Sequence, residues 1–301
     1  MGTKYIQFLS TILIFLILIS CARDDAVLMP DPYPEPEPVI RTVIAFTTRE
    51  TGTFQIYIID KDGSNKKQLT FGEDDLSSPK ISPDSTKILY HSLGDYGIYI
   101  MDTDGSDQIR IATGMYPCWF PDGTKIAFGH NGDIYTINID GTEERRITNH
   151  NSPDYYPSVS PDGNRIAYIY YDELHVINID GTGSVQLTDY PDKDYHCYHP
   201  AWSPLGDKII YKLDYFNGYN FQDYIYIINP DGTNNIPLTE VGKYYRPCWS
   251  PDGSKIAYEF RPNSHSADAI WVMDADGTNK VYLTSSDDYC TDPSWGVIIE
   301  K

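Results

Sequence analysis

Positive charge is scarce in this chain. Lys and Arg number 23 against 43 Asp and Glu, a formal net charge of −20, and the densest basic runs are the pairs Lys66-Lys67 and Arg145-Arg146. Binding to nucleic acid or to an anionic lipid surface draws on attraction to phosphate, which would here be a repulsion, so neither is expected as a partner. Long apolar runs are missing as well. The longest, Ile6 to Ile19, covers about 14 residues where a spanning helix needs roughly 20. No Gly-x-Ser-x-Gly elbow is present, which removes the serine-hydrolase reading.

What stands at the N-terminus is a signal of another kind. Lys4 precedes the apolar stretch, which ends in Leu18-Ile19-Ser20-Cys21. This has the form of a lipoprotein signal peptide, residues 1–20, followed by a cysteine that would be acylated to anchor the chain. Residues 21–40 then carry proline at every second position from Pro30 to Pro38. Proline fixes φ and removes a donor, so an extended spacer is expected, at about 3.1 Å per residue. The acidic pair Asp24-Asp25 resembles a lipoprotein surface-export signal. The expected location is therefore the cell envelope, lipid-anchored at the outer membrane on its periplasmic or surface side, with no other membrane contact.

The chain as a whole has 41% hydrophobic residues, as in a globular protein, and 26 tyrosines that tilt it towards strands, and residues 41–301 read as one domain. One phrase, Pro-x-Trp-Ser-Pro-Asp-Gly-x-Lys-Ile-Ala-Tyr, recurs in varied form from Pro79, Pro117, Pro157, Pro200 and Pro247. A second, Ile-Tyr-x-Ile-Asp-x-Asp-Gly, ends at Gly63, Gly105, Gly141, Gly181, Gly232 and Gly277. A Leu-Thr or Ile-Thr strand closes most units, while the second ends irregularly from Ile109 to Ala112. Pro-Asp-Gly and Asp-x-Asp-Gly are tight turns with glycine at the left-handed position. Each period thus holds four short strands, the pattern of a β-propeller blade.

The two ends of the repeat complement each other. The first unit opens at Val43-Ile44-Ala45-Phe46 without an innermost strand, and the chain closes on Asp292-Pro293-Ser294-Trp295, which would supply it. The fold expected is all-β: a six-bladed propeller of four-stranded blades, closed by a C-terminal strand that completes the first blade.

These phrases resemble the propeller repeats of the TolB family, across residues 41–299. The resemblance implies an envelope setting, since TolB looks like an α/β domain ahead of a propeller that contacts partners in the Tol–Pal system. Here only the proline spacer precedes the blades, so the expectation is a propeller lacking that α/β domain. Some propellers of this kind act as oligogalacturonate lyases that hold a metal with histidines. That implies an alternative: a metal-dependent periplasmic enzyme using the central channel near His196 and His199.

Strand polarity puts both regular turns on one face, here called the bottom, and the variable connections on the top. Two top loops of the fifth blade stand out, residues 189–199 and 213–224. They are expected to place Tyr195, His196, Tyr198, His199, Tyr215, Phe216, Tyr219 and Phe221 on one rim, suited to a protein or a glycan. The leading expectation is a monomeric, non-catalytic binding scaffold with no cofactor and no metal. Asp-x-Asp-Gly lacks the further ligands of a calcium loop, and His196 with His199 gives no third metal ligand. Cys118 and Cys248 share a repeat position on opposite sides of the ring, and Cys197 and Cys290 lie two blades apart, so no disulfide is expected among them. His91, His130, His150, His175 and His265 are scattered, and His175 replaces the repeat tyrosine.

Overall fold

The computed structural model describes residues 38–190, 194–216, 218–262, 266–285 and 289–300. The signal peptide, Cys21, nearly all of the spacer and His265 lie outside the described residues. Six four-stranded antiparallel sheets make six blades. Blade one is assembled from both ends of the chain: Thr291–Glu300 pairs with Val39–Thr48, with Ile44 opposite Trp295. Blade two starts at Leu76–Ile81, blade three at Met115–Trp119, blade four at Asp154–Val159, blade five at Tyr195–Trp202 and blade six at Tyr244–Trp249. The first strand of the chain begins at Val39, so regular structure starts inside the segment read as spacer.

The repeated phrases have identifiable physical roles. Phe46, Tyr90, Phe128, Tyr168, Tyr211 and Tyr258 occupy the same place on the second strand of each blade and are essentially inaccessible. Around them the core divides into six apolar clusters, each shared by two neighbouring blades. The cluster joining Phe46 and Trp295 to Ile270 and Val272 seals blade six against blade one. In the Ser-Pro-Asp turn the serine hydroxyl works twice. Ser250 Oγ donates to Asp252 Oδ1 at 2.6 Å and accepts from the Lys255 amide at 2.9 Å. Blade five has Leu205 where blades two, three, four and six have Asp, and Asp207 takes over as acceptor at 2.8 Å from Ser203 Oγ.

The Leu-Thr motif is not the outer strand itself, as the sequence suggested. In blades one, three, four, five and six the outer strand has only two residues, as at Lys67–Gln68, and the motif follows it. Its apolar residue packs inward, and the threonine hydroxyl accepts the amide of the third strand's first core residue. Thr70, Thr148, Thr188, Thr239 and Thr284 bind Ile56, Ile134, Leu174, Ile225 and Ile270 in this way, each at 2.9 Å. The side chain thus satisfies a buried donor that two-residue pairing would leave open. Blade two lacks the threonine and has a five-residue outer strand, Ile109–Thr113.

The long connections of blade five also differ from expectation. Ile209–Phe216 and Phe221–Ile228 form one extended hairpin, with Asp214 opposite Asp223 and Phe216 opposite Phe221. Tyr195–Trp202 runs beside it, with Tyr195 opposite Tyr215. Aromatic residues at alternate positions prolong the pairing because facing rings stabilise the ladder.

Candidate binding channel

Every innermost strand contains the same irregularity. The pairing register shifts at the residue before the blade proline, and that residue has positive φ: Ser78 55°, Tyr116 54°, Tyr156 57°, His199 49°, Arg246 47° and Asp292 57°. A bulge re-aims a side chain out of the ladder, and the following proline already disfavours right-handed helical geometry there. All six residues line the central cavity.

One half of this ring is aromatic. Tyr116 and Tyr156 have ring centroids 4.3 Å apart, and Tyr156 and His199 4.1 Å apart. The other half is charged. Arg246 Nε lies 2.7 Å from Asp292 Oδ1, and Arg246 Nη1 donates to Glu259 Oε1 at 2.9 Å. Asp292 accepts from Ser77 Oγ at 2.8 Å, and its amide donates to Glu259 Oε1 at 2.7 Å. Burial pushes the Glu259 carboxyl up to about 7, with Arg246 opposing. Asp292 is buried too, yet Arg246 and Ser77 hold it below the usual carboxylate range. Burial, aided by Arg246, drives His199 well below the usual imidazole value, and burial brings His91 to about 4. The ring therefore offers a neutral imidazole beside a compensated ion cluster.

Of the residues expected on one rim, the structure makes two groups. Tyr198 and His199 belong to the channel side, ring centroids 6.3 Å apart, with His196 6.4 Å from Tyr198 and 3.2 Å from Asp172 Oδ2. Tyr195, Tyr215, Phe216, Tyr219 and Phe221 belong to the outer hairpin. Tyr195 stacks on Tyr215 at 4.3 Å and on Tyr190 at 4.9 Å, so these rings are packing elements. Phe216 rests against Phe221 at 5.0 Å. Tyr219, at 89% relative exposure, and Phe221, at 50%, present their rings to solvent. Among the described residues no three His, Cys, Asp or Glu side chains are placed to share a metal ion. Cys118, Cys197 and Cys248 carry free thiols.

Sequence reasoning missed Ser78, Tyr116, Tyr156, Arg246 and Asp292. The signal was available, because the residue ahead of the blade proline varies between repeats (only tyrosine, at Tyr116 and Tyr156, occurs twice) while the phrase after it recurs. It also missed a buried charge cluster in blade five. Lys212, 4% exposed, lies 2.8 Å from Asp214 Oδ1 and beneath the rings of Tyr245 and Tyr198. Asp223 lies 3.3 Å from Lys243 Nζ, and burial pushes the Asp214 carboxyl up to about 6.

Six blades around a channel walled by pre-proline side chains define a closed β-propeller whose inner surface is aromatic on one side and charged on the other. The chain belongs to the TolB family: the model described as the TolB beta propeller domain matches residues 37–299. It is 32% identical over 119 residues to the Protein TolB homolog of Chlorobaculum tepidum, and 29% identical over 119 residues to the Tol-Pal system protein TolB of Anaeromyxobacter sp. (strain K). Each alignment covers 36% of this chain, and the chain spans only 27% of the length of these curated relatives. The solved TolB of Acinetobacter baumannii superposes with a TM-score of 0.72 at 22% identity, covering 85% of this chain and 66% of that one. An oligogalacturonate lyase in complex with manganese superposes at 0.59 with 17% identity, covering 80% and 73%. At such identities the superpositions speak for the fold alone.

Proposed function

We propose that this propeller is a non-catalytic binding scaffold of the cell envelope, anchored through Cys21, that seats a protein partner on its top face. The observation that carries the reading is the pair Tyr219 and Phe221, exposed at the end of a hairpin that Tyr195, Tyr215 and Tyr190 brace by stacking. Rigid aromatic rings offer contact area at small entropic cost, which suits a protein interface. A Tol–Pal partner is consistent with the relatives' names, and a glycan stacked on the same rings is the competing ligand.

The test is capture of partners from detergent-solubilised envelope with the full lipidated chain, comparing wild type with Tyr219→Ser/Phe221→Ser. A specific protein retained by wild type and lost by the double variant is the expected result. Identical partners with both would remove the hairpin from the reading. Binding to a glycan array without any protein partner would replace the protein ligand by a sugar.

A further inference from the structure

Below the pre-proline ring, the channel wall carries one basic residue, Lys80. The positions just after the blade prolines are small in five blades (Cys118, Ser158, Ala201, Cys248 and Ser294), and in the sixth the residue is Lys80. The small residues leave a cavity of about 410 Å³, a volume in the range of small-ligand sites. It extends to the exposed prolines of the Ser-Pro-Asp turns, such as Pro83, Pro161 and Pro251, and so reaches the bottom face.

Lys80 has no ion-pair partner among the described residues. The acid in the cavity wall, Asp292, is engaged by Arg246 and Ser77. Four indoles also line the wall. Trp119 and Trp249 donate their indole N–H to the backbone oxygens of Lys80 and Ala201 on the preceding blades, at 2.8 and 3.2 Å. The equivalent Trp202 and Trp295 also line the cavity, but their buried Nε1 atoms have no acceptor among the described residues. The mouth points the other way in charge: exposed Asp84, Asp122, Asp162 and Asp252 stand at the bottom turns of a chain with net charge −20. That field penalises a polyanion at the entrance much more than a single charge.

We propose that the lower channel binds one carboxylate on a neutral or basic body, a free organic acid or the C-terminal end of a peptide. Lys80 supplies the charge partner, and the small residues after the other blade prolines leave room for the body of the ligand. This site is on the face opposite the hairpin and stands independently of the partner proposed there.

The experiment is isothermal titration of the purified chain at low salt, where a lone ammonium is least screened. The probes are an N-acetylated tripeptide ending in a free carboxylate, the same peptide as its C-terminal amide, benzoate, and inorganic phosphate. The expected result is binding of the free acids, with the amide and phosphate at least tenfold weaker. Benzoate as tight as the peptide would assign the site to small acids, and a tighter peptide would assign it to chain ends. Lys80→Met should abolish binding and Lys80→Arg retain it, each with an unchanged melting temperature. Ala201→Leu, which narrows the cavity and leaves the charge, should weaken it tenfold or more. Equal binding of acid and amide, phosphate binding as tight as the acids, no binding of either carboxylate, or undiminished binding by Lys80→Met or Ala201→Leu would overturn the proposal.

Discussion

Arg246 of blade six and Asp292 of blade one meet at 2.7 Å where the two ends of the chain are joined. Glu259 adds a second carboxylate 2.9 Å from the same guanidinium. A buried ion cluster contributes little net stability when intact, because desolvation offsets the attraction, but removal of its cation strands two acids. Arg246→Met should therefore destabilise the fold by about 3–5 kcal/mol, as for other buried pairs broken on one side. Equilibrium urea unfolding measures it. Adding Glu259→Gln should restore part of the loss. A variant within about 1 kcal/mol of wild type would mean that the cluster is well solvated.

The pH dependence of stability should have two opposed components. His91 and His175 titrate at about 4 in the fold, brought down by burial, and His199 is driven well below its usual value. The unfolded chain binds these protons near pH 6.5, so stability is complete above that pH and is lost as pH falls towards 4. Glu259, raised to about 7, and Asp214, raised to about 6, act in the reverse sense, since the folded chain holds their protons where the unfolded chain has released them. Their contribution falls as pH rises from about 4.5 to 7. His175→Tyr restores the repeat residue and should reduce the acid loss between pH 6.5 and 4 by up to about 1.4 kcal/mol per pH unit, the slope of one proton. Glu259→Gln should steepen it. Thermal melts across pH 4–8 would show both, and a change of slope in the wrong direction for either variant refutes its assignment.

Glycine at the Asp-x-Asp-Gly turn answers to two constraints at once. Gly277 has φ 86°, and a Cβ there would meet the carbonyl oxygen of Leu238, in the preceding blade, at 2.4 Å. Gly277→Ala should cost about 1–2 kcal/mol from the left-handed backbone alone, and more from the clash. Gly72 has no atom within 4 Å of the same virtual Cβ and no left-handed φ. Gly72→Ala should be neutral or stabilising by up to about 1 kcal/mol. Chemical denaturation of both variants separates turn constraint from a general loss of glycine.

The blades were legible in the sequence because turn chemistry and inward aromatics repeat. Gly277 and Tyr258 recur at fixed offsets, and the half-repeats at Val43 and Trp295 could only be completed by one another. The channel was not legible for the opposite reason. Arg246, His199 and Tyr156 occupy one repeat position, but their chemistry differs, so no recurring residue marked it. Their convergence arises from a bulge that gives each pre-proline residue positive φ. Nor could local sequence show whether the aromatics near Tyr215 formed loops or a ladder, because cross-strand pairing with Phe221–Ile228 and Tyr195 decides it.

That ladder separates two kinds of tyrosine within a few residues. Tyr215 stacks on Tyr195 at 4.3 Å and an interplanar angle of 19°, with Tyr190 on the other side of Tyr195. Tyr190 in turn shares a hydrogen bond of 2.8 Å with the hydroxyl of Tyr211, which is fully buried, so the stack continues into the core. Aromatic pairs of this geometry contribute about 0.5–1.5 kcal/mol beyond the area they bury. Tyr215→Ala should therefore destabilise blade five by about 1–3 kcal/mol once lost burial is included, and should raise amide exchange along Ile209–Phe216. Tyr219, at 89% exposure, should change stability by less than about 0.5 kcal/mol when replaced by alanine. Hydrogen exchange with urea unfolding gives both numbers. Equal losses would show that the hairpin tip is packed as tightly as its base, and the exposed rings could then no longer serve as a contact surface.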